Sequence, residues 1–352
     1  MKKLISILLI AVTVVIFSCG ASNKDKEKEQ KQIDSLKQDS IAKSKNDLSK
    51  LKLKGNVKIL TSTKYKAVDK FGDAQKGDMI KKVKYFFNEK GYEAEESFFN
   101  TDSSLINKWI FKYNEKDSLI EEYDYDSNGS LTKKRIHKYD NKGNMVEWVS
   151  YNKDNTIEEK RTYKYDDKKN MIEWNTYNSA GTLNSKDIYK YDDKGNLIEE
   201  NRYNSDGSLL AKRTHKYDDK GNNIEGSLYK KDGIFDSKDS TIYDGKGNQI
   251  GFDTYDSKGN LTSKIRTTYD IKGNIIEQYI YNTDGSLNQK LTFKYDDHGN
   301  EIEGNSYKAD GSLDNKSTFK YDYDKKGNWL KKTTLTNDIP KYISERKIEY
   351  YN

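Results

Sequence analysis

Cysteine, proline, histidine and aliphatic residues are all scarce in this 352-residue chain, which has one Cys, one Pro, three His and a hydrophobic share of 33%. A single Cys excludes an intramolecular disulfide framework. A mean hydropathy of −1.08 excludes a bundle of transmembrane helices. With no second Cys and no clustered His, a zinc or redox centre has no support. No nucleophile elbow, P-loop or dinucleotide fingerprint occurs. We therefore expect no enzyme activity, no cofactor and no metal. A chain this charged (34%) and this poor in aliphatics would suggest disorder, because it buries too little surface to offset chain entropy. The aromatics argue otherwise: 12% of residues, 28 of them Tyr, point to a core built from Tyr.

The one long apolar run covers residues 4–17. Its 14 residues are too few to span a bilayer and read as the h-region of a signal peptide behind Lys2 and Lys3. Residues 1–19 resemble a bacterial lipoprotein signal, with small Ser18 before the cut and Cys19 as the residue that becomes lipidated. Ile16 and bulky Phe17 depart from the usual residues. Cys19 is the only Cys, at the one position where this chemistry needs a thiol. Two or more acyl chains give stable anchoring. Removing residues 1–18 would leave 334 residues and lower the net charge from +6 to +4. Residues 19–50, with Lys24-Asp25-Lys26-Glu27-Lys28-Glu29, look like the charged tether of lipoproteins displayed by Bacteroidetes-type bacteria. About 30 residues of coil reach about 30 Å.

Beyond the tether the chain repeats. Lys190-Tyr191-Asp192-Asp193-Lys194-Gly195-Asn196 recurs around Tyr139, Tyr165, Tyr217, Tyr243, Tyr269 and Tyr295, and from Tyr113 to Tyr295 there are seven periods of 26 residues. A second Tyr series follows each first by 12 residues, from Tyr125 through Tyr203 and Tyr229 to Tyr307. Both half-units carry turn signals. Asn204-Ser205-Asp206-Gly207 predicts a type I turn with Gly in the left-handed conformation, which sets Tyr203 across from Leu209 and, by analogy, Tyr191 across from Leu197. The spacing predicts an all-β fold: a repetitive antiparallel meander of about ten 26-residue, two-stranded units. A flat sheet of about twenty strands is too wide to stay flat, so we expect a coiled sheet or flattened β-solenoid. Residues 51–86 and 329–352 would be its two caps around the array at 87–328.

Strand alternation places Leu209, Ala211, Arg213, His215 and Tyr217 on one face. The other carries Lys134, Lys160, Lys186, Lys212, Lys238, Lys264, Lys290 and Lys316 at unbroken spacing. The expectation is one aromatic face and one lysine face. The shorter strand conflicts with this, because strict alternation puts Ile120, Val146, Ile172, Ile198 and their equivalents on the lysine side and the following Glu residues among the Tyr rings. A one-residue bulge beside each Gly-Asn turn would bring Glu opposite Lys.

Tyr-Asp-x-x-Gly-Asn followed by an aliphatic residue resembles the YD repeats of the rearrangement-hotspot (Rhs) and wall-associated protein family, over about residues 85–328. The resemblance implies a large β-sheet shell or spiral used on cell surfaces, in carbohydrate-associated roles or around toxin domains. The period of 26 exceeds the family's usual one, and Asn replaces the arginine that commonly follows the glycine. An encapsulated toxin domain is not expected.

His137 and His215 occupy one repeat position and read as core-facing stand-ins for aromatics. Asp124-x-Asp126-x-Asn128-Gly129 begins like a calcium loop but reaches Arg135 where a Glu is required, so it reads as a hairpin turn. Trp148, Trp174, Tyr203 and Tyr229 are the candidates for an aromatic platform that would stack on sugar rings. The lysine ladder is balanced by acids, and nucleic acid is not expected. The reading is a non-catalytic surface scaffold for binding or adhesion, lipid-anchored in the cell envelope at the outer membrane. The membrane and a glycan or surface protein are the expected partners. A carbohydrate-binding lipoprotein and a structural or toxin-associated shell are the alternatives.

Overall fold

The computed structural model describes residues 46–352 apart from Phe71. Cys19, the signal segment and most of the tether lie outside the described residues. One short helical turn, α1 (Asp47–Lys50), precedes an all-β fold of 22 strands. Each strand pairs antiparallel with its neighbours in sequence. The first, β1 (Val57–Lys70), also pairs with the last, β22 (Ile339–Tyr350), from Val57↔Tyr350 to Lys66↔Tyr342. The sheet is therefore a closed barrel, not the expected coiled sheet or open solenoid. At about 4.8 Å per strand the ring measures roughly 105 Å around. The physical reason lies in the edges. An open meander exposes two rows of unpaired N–H and C=O groups, and joining them removes both. The segments read as caps at opposite ends are the two sides of one seam.

Every hairpin between the second and the twenty-first strand is built by the same local chemistry. At Asn204–Gly207 the Gly207 N–H donates to the Asn204 carbonyl (3.1 Å) and the Asn204 N–H to the Ser208 carbonyl (2.9 Å). Gly207 has φ +81° and Gly195 φ +84°, conformations that cost other residues a Cβ clash. In the Gly-Asn turns the Asp side chain bonds the turn backbone: Asp192 Oδ1 accepts from the Lys194 and Asn196 N–H groups, while Asn196 Nδ2 donates to Asp192 Oδ2. The strands β10 (Leu183–Tyr191), β11 (Leu197–Asn204) and β12 (Leu209–Tyr217) show the expected facing pairs, Tyr191↔Leu197 and Tyr203↔Leu209.

The register slips by one residue after both kinds of turn. Lys190 faces Glu199 while Tyr191 faces Leu197, so Ile198 is the extra residue of a bulge. This is the bulge that the Glu and Lys columns require, and Glu199 does meet lysine. The Ile column does not pass to the aromatic side, however. Met145, Met171 and Leu197, one position earlier, pack there, and Ile198 stays 38% exposed. A second bulge, with Leu210 extra, follows the Asp-Gly-Ser turn. It separates Leu209 from Ala211, Arg213, His215 and Tyr217, which do share a face. It also moves the second Tyr series: Tyr203 faces Lys186 and Tyr229 faces Lys212, so the lysine face carries tyrosines too.

The seam has its own core. Leu48 and Leu53 from the α1 segment pack on Val57, Leu60 and Phe87, with Ile348 and Tyr350 beside them. Asn328, 2% exposed, accepts the Lys54 N–H (2.7 Å) and donates to the Lys54 carbonyl (2.9 Å), so the last Gly-Asn turn pins the entering chain.

Candidate functional site

On the lysine face, one Glu bridges two lysines in four of the units. Glu147 lies 2.7 Å from Lys138 and 2.6 Å from Lys160, and Glu199 lies 2.7 Å from Lys190 and 2.6 Å from Lys212. Glu173 and Glu225 repeat the arrangement. Hydrogen bonds from Lys190 and Lys212 hold the Glu199 carboxyl at about 2. A tyrosine ring lies beneath one of the same ammonium groups, with Lys238 Nζ 5.1 Å from the Tyr255 ring centre. This face neutralises its own charge.

On the opposite face, a band crosses β5 (Leu119–Asp126), β6 (Leu131–Tyr139), β7 (Met145–Asn152), β8 (Ile157–Tyr165), β9 (Met171–Tyr177) and β10 to β12. At its centre the Tyr163 and Trp174 rings stack 6.0 Å apart, and the Arg161 guanidinium lies 4.4 Å from the Trp148 ring and 5.7 Å from Trp174. Tyr163, Trp174 and Tyr189 are 5%, 3% and 7% exposed. Each flank carries a His–carboxylate pair: His137 Nε2 to Glu122 Oε1 and His215 Nε2 to Glu200 Oε1, both 2.8 Å. Burial acts to raise the Glu122 carboxyl, but His137 and Arg135 prevail and hold it below the usual range. Asp187 lies 2.8 Å from the Arg202 Nε, and burial still pushes its carboxyl up.

The four platform candidates do not come together. Trp148 and Trp174 share the aromatic band, whereas Tyr203 and Tyr229 project from the lysine face opposite Lys186 and Lys212. The second bulge is the cause, since it reverses the parity on which their grouping rested. His137 and His215 do stand at aromatic positions with little exposure, but their carboxylate partners were missed. A signal was present: the doublets Glu121-Glu122 and Glu199-Glu200 each stand 15 residues before one of the two histidines. In the calcium-like stretch, Asp124 engages Arg135 (2.9 Å), and Asp126 accepts the N–H groups of Asn128 and Ser130. Among the described residues no group of three His, Cys, Asp or Glu side chains is placed to hold a metal, and no helix is long and apolar enough to cross a membrane.

The first Tyr series does the most regular work. Tyr139, Tyr165, Tyr191 and Tyr217 donate their hydroxyls to the carbonyls of Leu119, Met145, Met171 and Leu197 at 2.7–2.9 Å. Each carbonyl belongs to the first residue of a short strand. In the case of Leu197, pairing of β11 with β12 begins only at Glu199↔Thr214, and the Tyr217 hydroxyl reaches the carbonyl before that point. The phenol thus bonds backbone that the bulge takes out of the ladder.

The class these features define is a closed antiparallel β-barrel made of hairpin repeats. A family model described only as an uncharacterised protein matches residues 136–239. No curated protein matches. Among solved structures, the chain is similar to a chain of the Photorhabdus luminescens Tc holotoxin pore carrying a TccC3 mutation, at 12% identity and TM-score 0.28 over 75% of this chain and 19% of that one. It is similar to a TcdB2-TccC3 structure at 14% identity and TM-score 0.34, over 77% of this chain and 18% of that one. It is also similar to a porin-like protein from Bacteroides uniformis, at 10% identity and TM-score 0.28 over 83% of this chain and 98% of that one. The chain spans about a fifth of the length of the toxin chains it matches.

Proposed function

We propose that this protein is a lipid-anchored component of the cell envelope, held at the outer membrane through Cys19, whose barrel is a non-catalytic scaffold for binding or adhesion. The observation that carries the scaffold reading is the burial of Tyr163, Trp174 and Tyr189, which makes the aromatic band internal packing and not an open sugar platform. The first-series phenols bond backbone and the ladder lysines bond glutamates, so the repeat chemistry serves the wall itself. Both faces carry charges in mid-strand, Lys186 and Glu199 on one and Asp187 and Arg202 on the other. A strand-spanning barrel would place one set against lipid at about 2–4 kcal/mol per Lys or Arg near the midplane. A water-exposed ring tied down by an acyl chain avoids that cost.

The test follows the anchor and the surface together. Wild type should incorporate labelled fatty acid, fractionate with the outer membrane and be labelled on intact cells by an impermeant amine reagent; Cys19→Ala should do none of these. Membrane retention of Cys19→Ala together with no lipid label on wild type would refute the address. Unchanged adherence of cells lacking the protein, across a panel of host and envelope surfaces, would refute the adhesive role.

A further inference from the structure

On the aromatic side Arg135, Arg161, Arg202 and Arg213 each pair with a carboxylate, and the seam breaks that balance. On the aromatic side, one row crosses Lys81 on β2 (Asp73–Phe87), Lys64 on β1, Ser344 on β22 and Lys332 on β21 (Trp329–Thr336), through the facing pairs Lys64↔Lys81, Lys64↔Ser344 and Lys332↔Ser344. Arg346 stands two residues further along β22, opposite Ser62. Like charges directly opposite on a sheet destabilise it, yet two lysines face one another here. None of these four cations forms an ion pair among the described residues, although nearby Lys76 and Lys66 both do.

Rings support the cations instead. Lys64 Nζ lies 3.8 Å from the Tyr342 ring centre, Lys332 Nζ 4.2 Å from Phe319, Lys81 Nζ 5.3 Å from Phe98, and the Arg346 guanidinium 3.7 Å from Trp329. Arg346 Nε is buried without a hydrogen-bond partner, an orphan donor beside a site that lacks an acceptor. Burial and mutual repulsion hold Lys332 below its ordinary range, with only Glu301 opposing, and burial brings Arg346 down to about 10. Burial pushes Glu301 and Glu96, the carboxyls that act on Lys332 and Lys81, up toward the neutral form. The rings are already covered by cations, so what the site lacks is negative charge, not an apolar surface.

We propose that this row is a binding site for an acidic polysaccharide whose successive carboxylate or sulfate groups engage Lys81, Lys64, Lys332 and Arg346. From β2 to β21 the row spans roughly 14 Å, further than one small oxyanion bridges and suited to an oligomer with charges on successive residues. The inference rests on the scaffold reading and supplies its ligand class. Isothermal titration of the full-length lipoprotein in detergent, with oligogalacturonate, dextran sulfate and neutral dextran, tests it. Either acidic oligomer should bind, more weakly as salt rises, and the comparison of the two separates carboxylate from sulfate recognition. Lys64→Met/Lys332→Met should lose about tenfold or more in affinity. Its melting temperature should stay level or rise, because repulsion is relieved. Lys81→Gln, at an exposed position, should weaken binding without touching the packed seam. Glu199→Gln/Lys212→Gln, on the other face, should bind as wild type does. Equal affinity for neutral dextran, or full affinity in both seam variants, overturns the site. Loss of binding only in the Glu199/Lys212 variant moves the site to the lysine face and leaves the scaffold reading standing, since that reading is tested by surface labelling and adherence.

Discussion

Tyr191→Phe removes one oxygen and nothing else, which makes it the sharpest probe of how the bulged repeat holds together. The Tyr191 hydroxyl donates to the Met171 carbonyl at 2.8 Å, and its ring packs against the Tyr163, Trp174 and Tyr189 cluster. Burial drives the phenol up to about 12, so it remains a donor at any ordinary pH. The substitution keeps the ring contacts, loses a hydrogen bond with a net value of about 1 kcal/mol, and leaves a half-covered carbonyl to find water; together these cost about 1–2 kcal/mol. At this chain size that corresponds to a fall of about 2–5 °C in Tm. Tyr243 provides the internal control. It occupies the same repeat position, but its hydroxyl makes no hydrogen bond among the described residues, so Tyr243→Phe should cost no more than about 0.5 kcal/mol. Urea unfolding followed in parallel by far-ultraviolet circular dichroism and Trp emission gives both numbers. Equal destabilisation of the two variants would refute the reasoning, as would a Tyr191→Phe variant indistinguishable from wild type.

Two further perturbations have opposite pH signatures. Glu199→Gln should cost about 1 kcal/mol at pH 7. Because the folded carboxyl is depressed to about 2, below its unfolded value, its contribution is present above about pH 4.3 and is lost as pH falls toward 2. Acid titration of the unfolding midpoint should show the wild-type advantage vanish across that window; an advantage that survives at pH 2 would sink the ladder argument. Glu93 is the reverse case: burial first, then Glu96 and Asp47, push its carboxyl up to about 8 against the pull of Lys50. The folded state therefore binds the extra proton, and stability falls as pH rises from about 4.3 to 8. Glu93→Gln should be the more stable protein at pH 8 and no better at pH 4, and a variant destabilised at pH 8 would contradict this.

The features legible in the sequence are those encoded within a few residues. The Gly207 turn is set by a left-handed backbone, the Gly-Asn turn by an Asp accepting the N–H groups two and four residues on, and the facing of Tyr203 with Leu209 follows from the turn itself. The Gly-Asn bulge was legible too, because a column of Ile followed by Glu made strict alternation untenable. The other bulge left no such trace. Its extra residues include Thr132, Glu158, Asn184, Leu210 and Asp236, a position without a chemical type, so nothing there contradicted alternation. That single omission put Tyr203 and Tyr229 in the wrong company and hid the Lys–Tyr stacking. The His–carboxylate pairs were hidden for a related reason, since they depend on register across a bulge and not on neighbours in sequence.

Closure was the least legible property, because no residue encodes it. A bulge at every hairpin from β2 to β21 adds coiling to a sheet that already twists, and the accumulated bend brings strand 22 back to strand 1. What the sequence does contain is parity. In a meander each strand reverses the last, so only an even number of strands lets β22 run antiparallel to β1 and pair from Val57 to Lys66. Removing residues 193–218 deletes one 26-residue unit, joins Asp192 to Asp219 in frame with the repeat, and leaves twenty strands. The shortened ring loses roughly a tenth of its circumference, about 10 Å, and should still close, unfold cooperatively and keep the Asn328–Lys54 clamp. Removing residues 193–204 deletes a single strand and leaves an odd number. The two seam strands would then arrive parallel, the Leu48, Val57, Leu60 and Phe87 core could not form in register, and exposed edges should drive association. Analytical ultracentrifugation and thermal melts separate the cases. A half-unit deletion that stays monomeric and as stable as the full-unit deletion would show that the seam is not what holds the ring.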